Sequence, residues 1–263
     1  MSRPDAFYLP PPAFAAPYVL TGGEANHCVR VLRKRPGEVV RLFDGLGHEG
    51  LFTITEADRD RVTLAPISLG EEPVPETRLH LAAGFSRSAR RDMFLEKAVE
   101  LGAAGVFFWQ AARTQGRMPE APKEAWTAAC ISAAKQCGAA RLPDIGVVAG
   151  GAAGLASLAD RFDRRYLLWE APDAPRRLRP EDVTAPGDAL FALGPEGGLA
   201  DDEVACLREA GFVPVSLGHR VLRWETAGLA VLALGLALAP PEKTSRTSVR
   251  DTAIEGSHGP FRH

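Results

Sequence analysis

Two short glycine-bearing segments near the end of the chain carry the residues best suited to chemistry. Residues 193–199 read LGPEGGL, and residues 217–223 read LGHRVLR. Each follows an apolar run typical of a buried strand and precedes a stretch typical of a helix. Glycines let a ligand approach the backbone closely, and arginines stabilise negative charge. The pair predicts a small-molecule pocket at the carboxyl ends of parallel strands.

Both segments also have a purely structural interpretation. The first lacks the Lys-Ser/Thr of a Walker loop and the G-x-G-x-x-G spacing of a dinucleotide site, so it need be no more than a tight connection. In the second, Arg220 or Arg223 forms a structural ion pair with Glu196 or Glu225 under this interpretation. The sequence by itself leaves both alternatives open.

The composition limits the classes of partner. The chain has 263 residues, 46% of them hydrophobic, which suffices for two domains with sizeable cores. Its formal net charge is −2, so nucleic-acid contacts must come from local basic patches. A solvated charged face is the alternative interpretation of such patches. The two patches contain Arg30, Arg33, Lys34, Arg35 and Arg41, and Arg87, Arg90 and Arg91.

Cysteine, histidine and hydropathy patterns argue against disulfide bonds, a metal site and a membrane span. The four cysteines have no C-x-x-C spacing and predict free thiols in a reducing compartment. The six histidines show no metal-ligand spacing, so we expect no metal site. The longest apolar stretch, residues 227–240, is shorter than the roughly 20 residues that span a bilayer. We therefore expect a cytoplasmic protein without membrane contact.

The coarse organisation is a β-rich first part followed by alternating strands and helices. Short β-type runs at residues 39–43, 50–55 and 61–67, with Asp44-Gly45 as a hairpin turn, predict a small barrel. An acidic, proline-containing linker follows at residues 70–76. The later alternation predicts a parallel sheet covered on both faces. The predicted units are residues 1–72, residues 73–240 and a disordered tail, residues 241–263.

The same motifs carry a family resemblance. Residues 193–199 together with residues 217–227 (LGHRVLRWETA) closely resemble the paired motifs of the ribosomal small-subunit RNA uridine-N3 methyltransferases, a SPOUT-class family. The resemblance covers the chain up to about residue 239. Its upstream parts are residues 27–33 (HCVRVLR), 42–45 (LFDG), 97–102 (KAVELG), 136–138 (QCG) and 141–143 (RLP).

The resemblance implies a fold, a cofactor and partners. The fold is an α/β SPOUT domain with a trefoil knot and a parallel sheet, preceded by a PUA-like β-barrel. The cofactor is S-adenosylmethionine, and the substrate is small-subunit ribosomal RNA, free or in an assembled 30S subunit. A homodimer would form through residues 226–238. The implied cofactor-binding residues are Leu168, Trp169, Glu170, Leu193, Gly194, Glu196, Gly197, Gly198, Leu217, Gly218, Val221 and Leu222.

Methylation at N3 of uracil requires loss of a proton, and this suggests the catalytic candidates. Arg223 or Arg220 would stabilise the anion that develops on the base, and Glu225 would remove the proton or anchor the arginines. Asn26 and His27 either contact RNA or pack within the barrel. The full set of RNA-binding candidates is Arg3, Asn26, His27, Arg30, Arg33, Arg35, Arg87 and Gln136.

Three departures from the family pattern bear on function. Trp224 stands where the family usually has Thr, Lys135 where an acidic residue is common, and Ala200 where Ser is frequent. With Ala200, we expect Asp201 or Asp202 to cover the helix start. Two rival functions stay open at this point: a related SPOUT 2′-O-methyltransferase, and a catalytically silent RNA-binding or ribosome-assembly factor whose pocket Trp224 fills.

Overall fold

Two β-sheets organise the part of the chain that the structure, a computed structural model, describes. The described residues are 3–86, 89–169 and 176–239. The predicted tail and two predicted site residues, Arg87 and Glu170, lie outside these ranges. The strands of the first sheet come before residue 72, and those of the second come after it.

The first sheet has five strands in the order β1-β3-β4-β5-β2. A helix, α1 (Gly22–Asn26), continues into a π-helical turn, His27–Val31, and packs beside the sheet. Inward-facing apolar side chains such as Phe7, Leu42 and Phe52 form its core. The strands are β1 (Ala6–Tyr8), β2 (Tyr18–Thr21), β3 (Val39–Phe43), β4 (His48–Ala57) and β5 (Arg61–Glu71).

The turn between β3 and β4 confirms the predicted hairpin. The buried Asp44 carboxylate accepts hydrogen bonds from the backbone N–H groups of Leu46 (2.7 Å) and His48 (3.1 Å). The predicted linker is partly wrong, because β5 continues to Glu71. Its pairing with β4 extends that far, and a register shift next to the Phe52–Pro66 pair accommodates the proline.

The second sheet is parallel and has six strands in the order β11-β9-β10-β6-β7-β8. This confirms the predicted α/β class. The knot stays a prediction. Strand β9 lies between β10 and β11, so the ends of these three strands are neighbours. The strands are β6 (Thr77–Gly84), β7 (Gly105–Trp109), β8 (Asp144–Val148), β9 (Arg164–Leu168), β10 (Gly187–Leu193) and β11 (Val213–Val215).

Helices cover both faces of this sheet, because its strands are apolar on both sides. Helices α2, α3, α5 and α7 contribute to the core on one face, and α4 and α6 to the core on the other. The short helices α4 and α5 were not predicted. The helices are α2 (Ala89–Glu100), α3 (Glu124–Cys137), α4 (Gly151–Ala156), α5 (Pro180–Thr184), α6 (Asp201–Glu209) and α7 (Trp224–Leu238).

The two sheets meet where the β3–β4 turn contacts the chain after α3. The Leu142 N–H donates to the Gly45 carbonyl at 2.9 Å. The Arg141 guanidinium donates to the carbonyls of Leu46 at 2.5 Å and of Glu72 at 2.7 Å. These hydrogen bonds fix the first sheet against the second.

Two kinds of feature are absent from the described ranges. None of their helices is long and apolar enough to cross a membrane. Their His, Cys, Asp and Glu side chains form no group of three or more that is arranged to hold a metal ion. All four cysteines are free thiols.

A half-buried ionic cluster near the amino-terminal ends of β6 and β10 makes stability depend on pH. His80 Nε2 lies 2.8 Å from Asp188 Oδ1, and the Arg78 Nη2 donates to the same carboxylate at 2.5 Å. Burial lowers the pKa of His80. The hydrogen bond from Arg78 lowers the pKa of Asp188. Both groups are therefore harder to protonate in the folded state than in the unfolded state.

We predict that the free energy of unfolding falls as pH drops below about 6.5, where an unfolded histidine gains a proton and His80 does not. Urea unfolding at pH 7.5 and 5.5 measures this change. His80→Gln keeps a hydrogen-bond donor for Asp188 and does not titrate, so it should lose less stability over this interval. An equal loss in both proteins would contradict the assignment.

Candidate functional site

The carboxyl ends of β9, β10 and β11 surround a cleft of about 700 Å³, a volume typical of small-molecule sites. Loops after these three strands supply most of its lining. The predicted residues that line it are Leu168, Trp169, Leu193, Gly194, Glu196, Gly197, Gly198, Val221, Leu222 and Arg223.

Four of the described catalytic and cofactor-binding candidates do not line the cleft. Leu217 packs against the main core, and Gly218, with a φ of 144°, shapes the turn beside it. Arg220 is exposed outside the cleft, and Glu225 is buried behind its wall. Of the two arginines considered for catalysis, Arg223 lines the cleft and Arg220 does not.

Six lining residues were not named as site residues, although Pro195, Leu199, Trp224 and Ala227 belong to the two glycine-bearing motifs. Arg90 was assigned to a basic patch, and Arg113 belonged to no motif. The available signal for Arg113 was its place just after a predicted strand, because the carboxyl ends of parallel strands lie at one edge of a sheet. The six are Arg90, Arg113, Pro195, Leu199, Trp224 and Ala227.

The glycine turn after β10 is packed too closely for larger residues. A Cβ at Gly197 would lie 3.0 Å from Arg113 Cβ and 3.1 Å from the Arg113 carbonyl oxygen. Gly198 has a φ of 72°, which favours glycine. At Gly197 and Gly198 the turn therefore presents backbone, rather than side chains, to the cleft.

Arg90 joins the two carboxylates of the site. Its Nη1 lies 3.8 Å from Glu196 Oε1, and its Nε lies 3.6 Å from Glu225 Oε1. Ser86 Oγ also donates to Glu196 at 3.0 Å. One interpretation of the sequence paired Arg220 or Arg223 with Glu196 or Glu225. In the structure, Arg90 contacts both of these carboxylates instead. No described residue forms an ion pair with Arg223.

Trp224 forms part of the cleft wall without closing the cleft. Its side chain is 5% exposed, and its ring centroid lies 4.8 Å from that of Phe94 at an interplanar angle of 60°. At this position, where the family usually has threonine, the indole therefore packs against α2. The cleft stays open, so the structure does not support the pocket-filling expected for a silent homologue.

Glu203 accepts hydrogen bonds from two segments, the start of α6 after the glycine turn and the segment after β7. Its Oε2 accepts from the Ala200 N–H at 2.9 Å, which is half of a capping box, and its Oε1 accepts from the Ala112 N–H at 2.8 Å. Asp202 accepts from the Glu203 N–H at 3.0 Å, as expected for a helix start without Ser. The buried Glu203 carboxylate thus connects the start of α6, which follows the glycine turn, with the segment after β7 that carries Arg113.

The RNA-binding candidates among the described residues fall into two groups. The first group is exposed and contains Asn26, Arg30, Arg33, Arg35 and Gln136.

Other candidates have structural partners. His27 packs its ring against Phe7 with centroids 6.0 Å apart, in line with the packing alternative. The Arg3 Nη1 donates to the Cys137 carbonyl at 2.6 Å. Lys135 stands where the family commonly has an acidic residue. It forms an ion pair with Glu24 of the N-terminal part, with its Nζ 2.5 Å from Glu24 Oε1.

We predict that Glu203→Ala destabilises the protein by about 2 kcal/mol, because two backbone N–H groups lose their acceptor. Chemical denaturation measures this loss. Glu209→Ala, at the other end of the same helix, is the control and should change stability by less than about 0.5 kcal/mol. Equal effects of the two substitutions would refute the role given to Glu203.

Sequence profiles of two domains match the chain. An RNA methyltransferase domain matches residues 72–235, and an RNA methyltransferase PUA domain matches residues 20–67. The ribosomal RNA small subunit methyltransferase E of Mycobacterium bovis is 31% identical over 233 residues, covering 85% of this chain and 87% of that protein. The protein of the same name from Bacillus subtilis is 27% identical and covers 83% of this chain and 89% of its own.

Solved structures show the same similarity. The ribosomal RNA small subunit methyltransferase E from Neisseria gonorrhoeae, solved bound to S-adenosylmethionine, has a TM-score of 0.76 at 28% identity and covers 90% of this chain and 98% of its own. A putative methyltransferase from Legionella pneumophila, solved with the same cofactor, has a TM-score of 0.77 at 27% identity over 90% and 99% of the two chains. The chain belongs to the RNA methyltransferase family, in the group of the ribosomal RNA small subunit methyltransferase E proteins.

Proposed function

We propose that the chain transfers a methyl group from S-adenosylmethionine to N3 of a uridine in small-subunit ribosomal RNA, in the cytoplasm. The observation that carries the proposal is the cleft formed by three strand-end loops, with the glycine turn on one wall and Arg223 on another. Relatives with the same fold are solved with S-adenosylmethionine.

The cleft fits this cofactor in size and lining. Its volume of about 700 Å³ falls within the usual range for small-molecule sites. Leu168, Leu193 and Leu222 offer apolar walls, and the backbone of the turn at Gly194 and Gly197 offers polar groups. When bound, S-adenosylmethionine supplies a sulfonium-activated methyl group.

Arg223 is the residue that we assign to the acceptor base. It lines the cleft, is exposed, and has no carboxylate partner among the described residues. Its guanidinium is therefore available to stabilise negative charge that develops on a uracil carbonyl as N3 loses its proton. Of the roles considered for Glu225, the contact with Arg90 supports anchoring rather than proton removal.

We assign RNA docking to the N-terminal domain together with the adjoining end of α3. Its exposed Asn26, Arg30, Arg33 and Arg35 lie on one continuous segment, and Gln136 is exposed at the end of α3. The ion pair between Glu24 and Lys135 joins these two elements. They therefore form a surface that both domains share.

We also propose a homodimer that buries α7. Leu234, Leu236 and Leu238 on this helix are 41%, 58% and 45% exposed, and the helix offers few polar side chains. Exposed apolar faces of this kind mark protein interfaces.

Arg223→Ala should lower methyl transfer about 10²-fold, because it removes the charge that stabilises the developing anion. The assay follows labelled methyl transfer from S-adenosylmethionine to unmodified small-subunit ribosomal RNA. Arg208→Ala, an exposed arginine on α6 outside the cleft, is the control and should transfer at the wild-type rate. Full activity of the Arg223 variant would exclude the assignment. Absence of transfer by the wild-type protein would overturn the proposed function.

Leu236→Asp should convert a dimer into a monomer, because it places a charge on the apolar face of α7. Light scattering coupled to gel filtration measures the mass. Ile67→Asp, at an exposed apolar position of the first sheet, is the matched control and should leave the mass unchanged. A monomeric wild-type protein would contradict the dimer.

A further inference from the structure

Arg113 is a cleft-lining cation that the chemistry above does not use. It follows β7 and lies outside the three loops that supply most of the cleft. Its side chain is exposed, and its Nη1 donates to the Gly197 carbonyl at 3.3 Å. Because this acceptor is neutral, the contact orients the guanidinium without compensating its charge.

The backbone around Arg113 is held firmly against the glycine turn. Its Cβ and carbonyl oxygen occupy the space that a side chain at Gly197 would need. The neighbouring Ala112 N–H donates to the buried Glu203 carboxylate, and the Ala111 N–H donates to Thr114 Oγ1 at 3.0 Å. The arginine therefore projects from an ordered turn that is attached to the cleft wall.

The three cleft-lining arginines differ in their surroundings. Arg90 faces two carboxylates, whereas the described residues place no carboxylate within ion-pair distance of Arg113 or Arg223. In the sheet order, β7 and β11 lie on opposite sides of β10. Arg113 and Arg223 therefore flank the glycine turn from two sides, and each keeps its charge for a ligand.

We propose that Arg113 binds a backbone phosphate of the acceptor RNA at the rim of the cleft. The proposal rests on the proposed function, since it takes RNA as the substrate. A guanidinium forms paired hydrogen bonds with phosphate, and its exposure at the rim gives a polynucleotide access. The cofactor carboxylate is the other candidate anion. However, the ammonium of the cofactor already balances that charge, whereas RNA phosphates bring uncompensated negative charge to the cleft.

The test measures binding of unmodified small-subunit ribosomal RNA over a range of salt concentrations. For Arg113→Ala, we expect an affinity about tenfold lower and a slope of log K against log salt that is smaller by about 1. Arg113→Lys should keep the slope. Calorimetry with S-adenosylmethionine alone should give the wild-type dissociation constant for Arg113→Ala.

Arg117→Ala is the matched control, because Arg117 is exposed on the same segment, pairs with Glu120 at 3.5 Å and does not line the cleft. It should leave RNA affinity and salt slope unchanged. An unchanged slope for Arg113→Ala, or an equal change for Arg117→Ala, would overturn the proposal. Weaker cofactor binding with unchanged RNA binding would overturn it in favour of the cofactor carboxylate. Since binding is measured without turnover, wild-type RNA binding without methyl transfer would count against the proposed function alone.

Discussion

The placement of β9 between β10 and β11 is the constraint on which the site depends. Because the three strands are parallel and adjacent, their following loops must leave the sheet at the same edge. The loop after β10 then packs against the segment after β7, and the buried Glu203 carboxylate connects them. A cleft with a backbone wall follows from this order of strands and not from any single residue.

The charges of the cleft follow the same geometry. Arg90 lies between Glu196 and Glu225, so its charge is used within the protein. Arg113 and Arg223 come from loops on opposite sides of the glycine turn and face no carboxylate among the described residues. The charge of Arg90 is therefore balanced within the protein, whereas the charges of Arg113 and Arg223 are not. In our proposal, Arg113 and Arg223 present this positive charge to RNA, although the net charge of the chain is −2.

The sequence predicted the α/β class, the hairpin at Asp44 and the strands that precede both glycine segments, because these features depend on local apolar patterns and turn residues. It did not predict α4, which is short and rich in glycine and alanine. Arg90 and Arg113 were missed because their place in the cleft depends on strand order, which periodicity does not encode. The interdomain pair of Lys135 and Glu24 was missed for the same reason, since 111 positions separate its members.

We propose that this chain methylates N3 of a uridine in small-subunit ribosomal RNA. Mass spectrometry of that RNA, from cells with and without the gene, tests it most directly. We predict that one N3-methyluridine is present in the first sample, absent from the second and restored when the gene is returned. An unchanged level of N3-methyluridine, or the loss of a 2′-O-methyl group in its place, would contradict the account.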